Sequence, residues 1–167
     1  MYTLKAFALD GPALEYAVKA TYLYKFGPFV EWPVAALPMP TSPVNLCVIG
    51  DDPFGKALDQ AVAGQHIGEH PISVRRIAQA SKESGCQIMY FSERGSQLIS
   101  EQLARLQNQP VLTVTDGADE EQSRGIVNFF IQDGRVRFDI DERAAARSGL
   151  TISSKLLSIA SKPTPKS

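Results

Sequence analysis

Residues 125–160, GIVNFFIQDGRVRFDIDERAAARSGLTISSKLLSIA, decide how the rest of the chain is read. Two apolar runs, 126–131 and 136–140, flank Asp133-Gly134, a pair that tolerates positive φ and predicts a tight hairpin. In the second strand Val136, Phe138 and Ile140 share one face and Arg135, Arg137 and Asp139 the other, because side chains alternate with period two. Asp141 is placed to cap a short helix over 142–148, with Arg147 in its last turn and Gly149 as its stop. Thr151 is expected to open a final helix with Ile152, Leu156, Ile159 and Ala160 on one face, ended by Pro163 and Pro165. No residue of this block reads as a catalytic group.

Upstream, Leu14, Val18, Tyr22 and Phe26 repeat every four, with Ala17, Leu23 and Phe29 on adjacent positions. The pattern predicts an amphipathic helix from residue 14 towards Trp32, disrupted near its end by Gly27-Pro28. The four prolines of residues 33–43 mark a surface crossing. Residues 44–49 read as a strand, followed by a helix with Asp52 as N-cap, Pro53 as first residue and Gly64 as stop. Residues 65–71 read as a turn, 72–77 and 87–91 as strands, 96–106 as a helix with Leu98, Ile99, Leu103 and Leu106 inward, and 111–114 as a strand. Residues 116–125 form a polar loop.

Strands alternating with helices predict an α/β fold: a mixed, mostly parallel sheet with helices on both faces and a C-terminal antiparallel hairpin. With 167 residues and 44% apolar content, the chain can bury a core without a metal or disulfide staple. Residues 14–162 are expected to form a single domain, with 1–13 and 163–167 as flexible ends. A net charge of −1 offers no basic field for nucleic acid. No apolar run approaches the roughly 20 residues that span a bilayer, so no direct membrane insertion is expected. The N-terminus lacks the apolar core of a signal peptide, so an exported form would have lost its leader. Cys47 and Cys86 could be one disulfide or two buried thiols, and residue spacing leaves both open.

Such a sheet leaves a crevice at the carboxyl ends of its parallel strands, where Asp51, Glu93 and Asp116 are the candidates for a small ligand. The loop Gly50-Asp51-Asp52-Pro53-Phe54-Gly55 matches no phosphate-binding fingerprint and reads as a helix cap. His66 and His70 lie four apart, but Gly68 and Pro71 argue against a helix there and no third ligand is near, so no metal is expected. Ser153-Ser154-Lys155 lacks the spacing of a Ser-Lys pair, and no G-x-S-x-G occurs. No catalytic residue and no cofactor are assigned. Arg137, Asp139 and Arg147 form a charged surface by the hairpin and short helix.

Two patterns now combine. One is Val18-Lys19-Ala20 with Tyr22-Leu23-Tyr24-Lys25-Phe26 and Phe29-Val30-Glu31-Trp32-Pro33. The other is Asn128-Phe129, Gly134, Val136, Phe138 and Ala145 with Gly149-Leu150-Thr151-Ile152-Ser153-Ser154-Lys155-Leu156-Leu157. Joined by the GDDPFG loop, they resemble the YfiR-like family of small bacterial periplasmic regulators. Members often have Asn where this chain has Asp141, and either residue can cap a helix. The resemblance implies a non-enzymatic periplasmic repressor that binds the periplasmic sensor domain of a YfiN-like inner-membrane diguanylate cyclase and lowers cyclic di-GMP. It also implies sequestration by a YfiB-like, OmpA-like outer-membrane lipoprotein. In an oxidising periplasm it favours a Cys47–Cys86 disulfide. Arg137, Asp139, Ala145 and Arg147 become the candidate partner surface. Homodimerisation through Tyr22, Tyr24, Phe26 and Phe29 is compatible with that role. The other reading is a small-ligand sensor or enzyme at the strand-end crevice.

Overall fold

The computed structural model describes residues 11–92 and 96–162. From the amino end these form α1 (Pro12–Lys25), β1 (Val30–Glu31), β2 (Val44–Ile49), α2 (Lys56–Val62), β3 (His66–Ile67), β4 (His70–Ile77), β5 (Ile88–Phe91) and α3 (Ser96–Arg105). There follow β6 (Leu112–Asp116), β7 (Val127–Gln132), β8 (Arg135–Ile140), α4 (Glu142–Arg147), β9 (Thr151–Ile152) and α5 (Ser154–Ile159). Seven strands make one sheet in the order β3-β4-β2-β5-β6-β7-β8. The run from β4 to β7 is parallel, and β3 and β8 join its two edges antiparallel. Strands β1 and β9 pair separately as a small antiparallel ribbon. The sheet is thus mixed and mostly parallel, as its sequence predicts. Asp133 and Gly134, at φ 53° and 72°, supply the left-handed pair that a two-residue hairpin needs between β7 and β8.

Period-two alternation divides the core by sheet face. Leu46 and Val48 of β2, with Ile88 and Tyr90 of β5, pack against Ala20 and Leu23 of α1, Leu58 of α2, Ala145 of α4 and Leu156 of α5. Cys47, Ile49, Met89 and Phe91 point the other way and meet Ile99 of α3 and Leu106. Helices therefore cover both faces. Residues 78–87 must carry the chain from β4 past β2 to β5, and Cys86 in this crossing is bonded to Cys47 of β2, with Cα atoms 6.1 Å apart. Asn45 reinforces the same joint. Its side-chain amide donates to the Gly85 carbonyl at 2.8 Å, and its backbone N–H donates to Gln87 Oε1 at 2.7 Å.

Four local expectations are corrected. First, α1 ends at Lys25 rather than near Trp32, because Gly27-Pro28 opens a short 3₁₀ turn and Val30-Glu31 finds strand partners in Ile152-Thr151. Second, Thr151-Ile152 is that partner strand rather than the start of a helix; Ser153 caps α5 by accepting from the Lys155 N–H at 3.2 Å. Third, α2 begins at Lys56 with Gly55 as N-cap instead of Asp52. Asp52 is engaged elsewhere, accepting from the Phe54 N–H at 2.9 Å and from Arg76 Nε at 2.8 Å. Arg76 also reaches the Gly55 carbonyl and Asp59, and the guanidinium holds Asp59 below the usual carboxylate range. Fourth, His66 and His70 belong to a β-hairpin, in which His70 Nδ1–H donates to the Ser42 carbonyl at 2.7 Å. At the flexible-end boundary, Pro12 and Ala13 already belong to α1; residues 1–10 and 163–167, with Pro163 and Pro165, lie outside the described residues.

Gly125 marks a close approach between β6 and the entry to β7. A Cβ added there would lie 2.7 Å from the Thr113 carbonyl oxygen. The Gly125 and Ile126 N–H groups donate to Thr115 Oγ1 and Thr113 Oγ1, both at 2.9 Å. Gly125→Ala is expected to cost about 1–3 kcal/mol of stability, because a backbone atom has to give way; unaltered urea unfolding would show that the two strands separate freely. Opening the Cys47–Cys86 bridge frees a loop closed across a separation of 39 residues. The paired Cys47→Ser, Cys86→Ser variant is expected to lose roughly 3–4 kcal/mol on the chain-entropy model, read as a lower denaturation midpoint in the absence of reductant.

Candidate functional site

On the helical wheel of α1, positions 16, 19, 20, 23 and 26 share a face, and this is the face that meets the sheet. Ala20, Leu23 and Phe26 are buried on it, while Leu14 is 49% exposed. The inward stripe is therefore rotated from the one expected through Leu14, Val18 and Tyr22. Lys19 falls in the stripe and is 1% exposed. Its Nζ donates to Asp116 Oδ2 at 2.6 Å and also bonds Glu15, one helical turn earlier. Tyr90 Oη–H donates to the same Asp116 oxygen at 2.6 Å. Aromatic rings complete the surroundings, with the ammonium 4.6 Å from the Tyr16 centroid and 5.9 Å from that of Phe129.

Burial alone would lower the Lys19 pKa, but the hydrogen bonds and charges of Asp116 and Glu15 outweigh it and hold the ammonium above the ordinary lysine value. A nucleophilic lysine needs the opposite shift. Lys19 is thus a fixed cation that ties α1 to the end of β6. Its sequence signals were the 16-19-20-23-26 spacing and an acid ending the apolar strand VLTVTD; neither identifies the pairing, because Lys19 and Asp116 stand 97 residues apart.

Of the strand-end carboxylates, Asp51 and Asp116 do not converge. Asp116 is 4% exposed and turned beneath α1. Asp51 is exposed and borders a separate crevice of about 210 Å³ between β2, β5 and α3. Glu93 lies outside the described residues. Among the other candidates, Arg137 and Asp139 lie on one face of β8, and Asp139 is 3.8 Å from Arg124 Nη1. Asp139 lines a polar cleft of about 740 Å³ with Arg124 and Arg143, and Arg147 lines a neighbouring cleft of about 460 Å³ between α3 and α4. Both clefts include Glu121, Arg124, Ile126 and Asp141 and so form one groove system. Ala145 is 1% exposed and packs in the core, which removes it from any contact surface in this state. The α1 aromatics are also engaged inward. Phe26 is buried, and Tyr22 packs on Phe26, Phe129 and Phe138 with centroids 5.4–6.2 Å apart. Tyr24 and Phe29 are half-buried against the same core.

Lys19→Met leaves the Asp116 carboxylate buried without its cation and is expected to cost about 3–5 kcal/mol, whereas Lys19→Met with Asp116→Leu should be markedly less harmful. Urea unfolding of the three proteins checks this; equal losses in single and double variants would refute the ion-pair account. Since the folded-state pKa of Lys19 is raised above 10.5, its contribution is complete below pH 10.5 and is lost as pH rises through the folded value. Wild-type stability should fall over that alkaline range more steeply than that of Lys19→Met.

A family model described as YfiR/HmsC-like matches residues 16–161. A search of curated proteins finds no match. The matched span takes in Lys19, Asp116, both cysteines, the groove residues and every strand of the sheet. The chain belongs to the YfiR/HmsC-like family.

Proposed function

We propose that this protein is a non-enzymatic periplasmic regulator of cyclic di-GMP signalling. It binds and represses the periplasmic sensor domain of an inner-membrane diguanylate cyclase, and an OmpA-like outer-membrane lipoprotein sequesters it in turn. The observation that carries this reading is the family match across residues 16–161. Two features support it. The Cys47–Cys86 bridge suits an oxidising compartment. The buried polar cluster around Lys19 is paired within itself, with its cation held protonated. No helix among the described residues is long and apolar enough to cross a membrane.

The contact surface we favour is the groove system beside β8 and α4, lined by Asp139 and Arg147, with Arg137 on the same face of β8 as Asp139. Repression then works by population shift: the regulator binds one state of the sensor domain more tightly and biases it by that difference in affinity. A tenfold preference is worth about 1.4 kcal/mol. The sensor-or-enzyme reading has less support, since Asp51 and Asp116 do not share a site.

Calorimetric titration of the purified protein with the periplasmic domain of a co-encoded membrane diguanylate cyclase tests the proposal. Saturable binding is expected, weakened when reductant opens the Cys47–Cys86 bridge. Absence of binding with both partners folded would end the repressor reading. Arg147→Glu, at an exposed position of α4, should weaken binding by about tenfold or more while leaving the unfolding midpoint within about 0.5 kcal/mol of wild type.

A further inference from the structure

β8 ends its sheet, and period-two alternation sorts its backbone groups into those facing β7 and those facing the free edge. The Asp141 N–H, one residue past the strand, donates to the Ile126 carbonyl at 2.8 Å, so the odd-numbered positions face β7. Val136, Phe138 and Ile140 face the edge, where the Phe138 carbonyl accepts the Ser161 N–H at 2.8 Å. Among the described residues this is the only backbone bond on that edge. Continuing the ladder from Ser161 would call on residues 163 and 165 as the next donors, and both are prolines, which carry no N–H. The chain beyond Ser161 therefore cannot donate to the Val136 carbonyl in that register. The N–H and C=O of Val136 are open to another strand.

The side chains determine which strand fits. Arg135 and Arg137 flank Val136 on one sheet face and have no ion pair among the described residues. Their partners across β7 are Gln132 and Phe130, neither of them acidic. Val136 turns to the other face, opposite the exposed Ile131. Opposite charges set across a strand pair stabilise it, and like charges destabilise it. A second copy of β8 is a poor occupant. Two-fold pairing of Val136 with itself sets Arg135 against Arg137, and pairing of Val136 with Phe138 sets Arg137 against itself. Pairing of Phe138 with itself would match Arg137 to Asp139 but needs the carbonyl that Ser161 holds.

We propose that the open half of the β8 edge takes an extended strand of a partner protein in which two acidic residues flank an apolar one. The apolar residue pairs with Val136 through the backbone, and the acids meet Arg135 and Arg137. The site adjoins the groove system of the regulatory reading without depending on that reading.

The test is a ¹H–¹⁵N NMR titration of the full chain with a hairpin peptide closed by Asn-Gly, whose outer strand reads Thr-Glu-Val-Glu-Thr with the valine N–H turned outward. A preformed strand loses less ordering entropy than a linear peptide. Saturable shifts and slowed hydrogen exchange are expected at the Val136 N–H. A hairpin with lysines in place of both glutamates should bind at least tenfold more weakly, and Arg135→Glu with Arg137→Glu should reverse that preference. N-methylation of the hairpin valine keeps every charge, removes the donor to the Val136 carbonyl and should weaken binding at least tenfold. The proposal is overturned if the Val136 resonance does not shift saturably, if the lysine or N-methylated hairpin binds undiminished, or if the same resonance shifts with protein concentration alone, which would assign the edge to a second copy.

Discussion

The ion pair between Lys19 and Asp116 is the constraint on which the packing of one whole sheet face depends. A cation at 1% exposure is tolerable only if its charge and its N–H groups are matched where it sits. That demand sets the position of α1 over the end of β6 and the rotation of its inward stripe. Once α1 is seated, Phe26 reaches Phe138 with ring centroids 5.1 Å apart, and Tyr16 meets Phe54, which in turn meets Tyr90. Apolar packing could be met by several nearby rotations of the helix, since an aromatic stripe is broad. The directional bonds of Lys19 and Tyr90 to one oxygen of Asp116 select among them.

The opposite face is held by different means. Among the described residues, its buried apolar cover comes from α3, from Leu106 and Val111 in the connection to β6, and from the crossing segment. The crossing has ten residues between Ile77 and Ile88 and no helix of its own, so it lacks the apolar surface with which a crossover helix ordinarily binds its sheet. The bridge from Cys86 to Cys47 substitutes a covalent tie for that surface, and Gln102 adds a hydrogen bond, its Oε1 accepting the Ala80 N–H at 2.6 Å.

How much of this was legible depends on the range over which each residue acts. The hairpin was legible because Asp133-Gly134 imposes its turn locally, and α4 was because Asp141 accepts from an N–H three residues away. The alternation along β8 likewise needs no distant partner. Asp52 was misread because Arg76, 24 residues on, takes its carboxylate and leaves the cap to Gly55. Thr151-Ile152 was misread because its partner strand lies near the other end of the chain. Lys19 was the largest omission. Its spacing put it on the buried face, but a lysine is admitted there only by Asp116, which spacing cannot supply. Asp51 and Asp116 are apart for a related reason: a fold-level rule places strand ends together, yet Asp116 is the last residue of β6 and turns to Lys19, while Asp51 lies in the loop beyond β2.

These two modes of attachment constrain how a redox signal could reach a partner. Cys47 belongs to β2, whereas the groove favoured for contact lies beside β8, with β5, β6 and β7 between them in the sheet. Ala145 and Leu156, which seat α4 and α5, pack on the face held by Lys19 and not on the face that carries the bridge. The bridge meets the groove only through Leu103 and Leu106, which line its α3 side and pack in the cluster that holds both cysteines. Breaking the bridge can act there by loosening that cluster, by lowering the stability of the sheet as a whole or by shifting strands in concert. The close backbone approach at Gly125, where β6 meets the entry to β7, is a point at which such a shift would be transmitted rather than absorbed, since backbone faces backbone there and the Thr115 and Thr113 hydroxyls hold the Gly125 and Ile126 N–H groups.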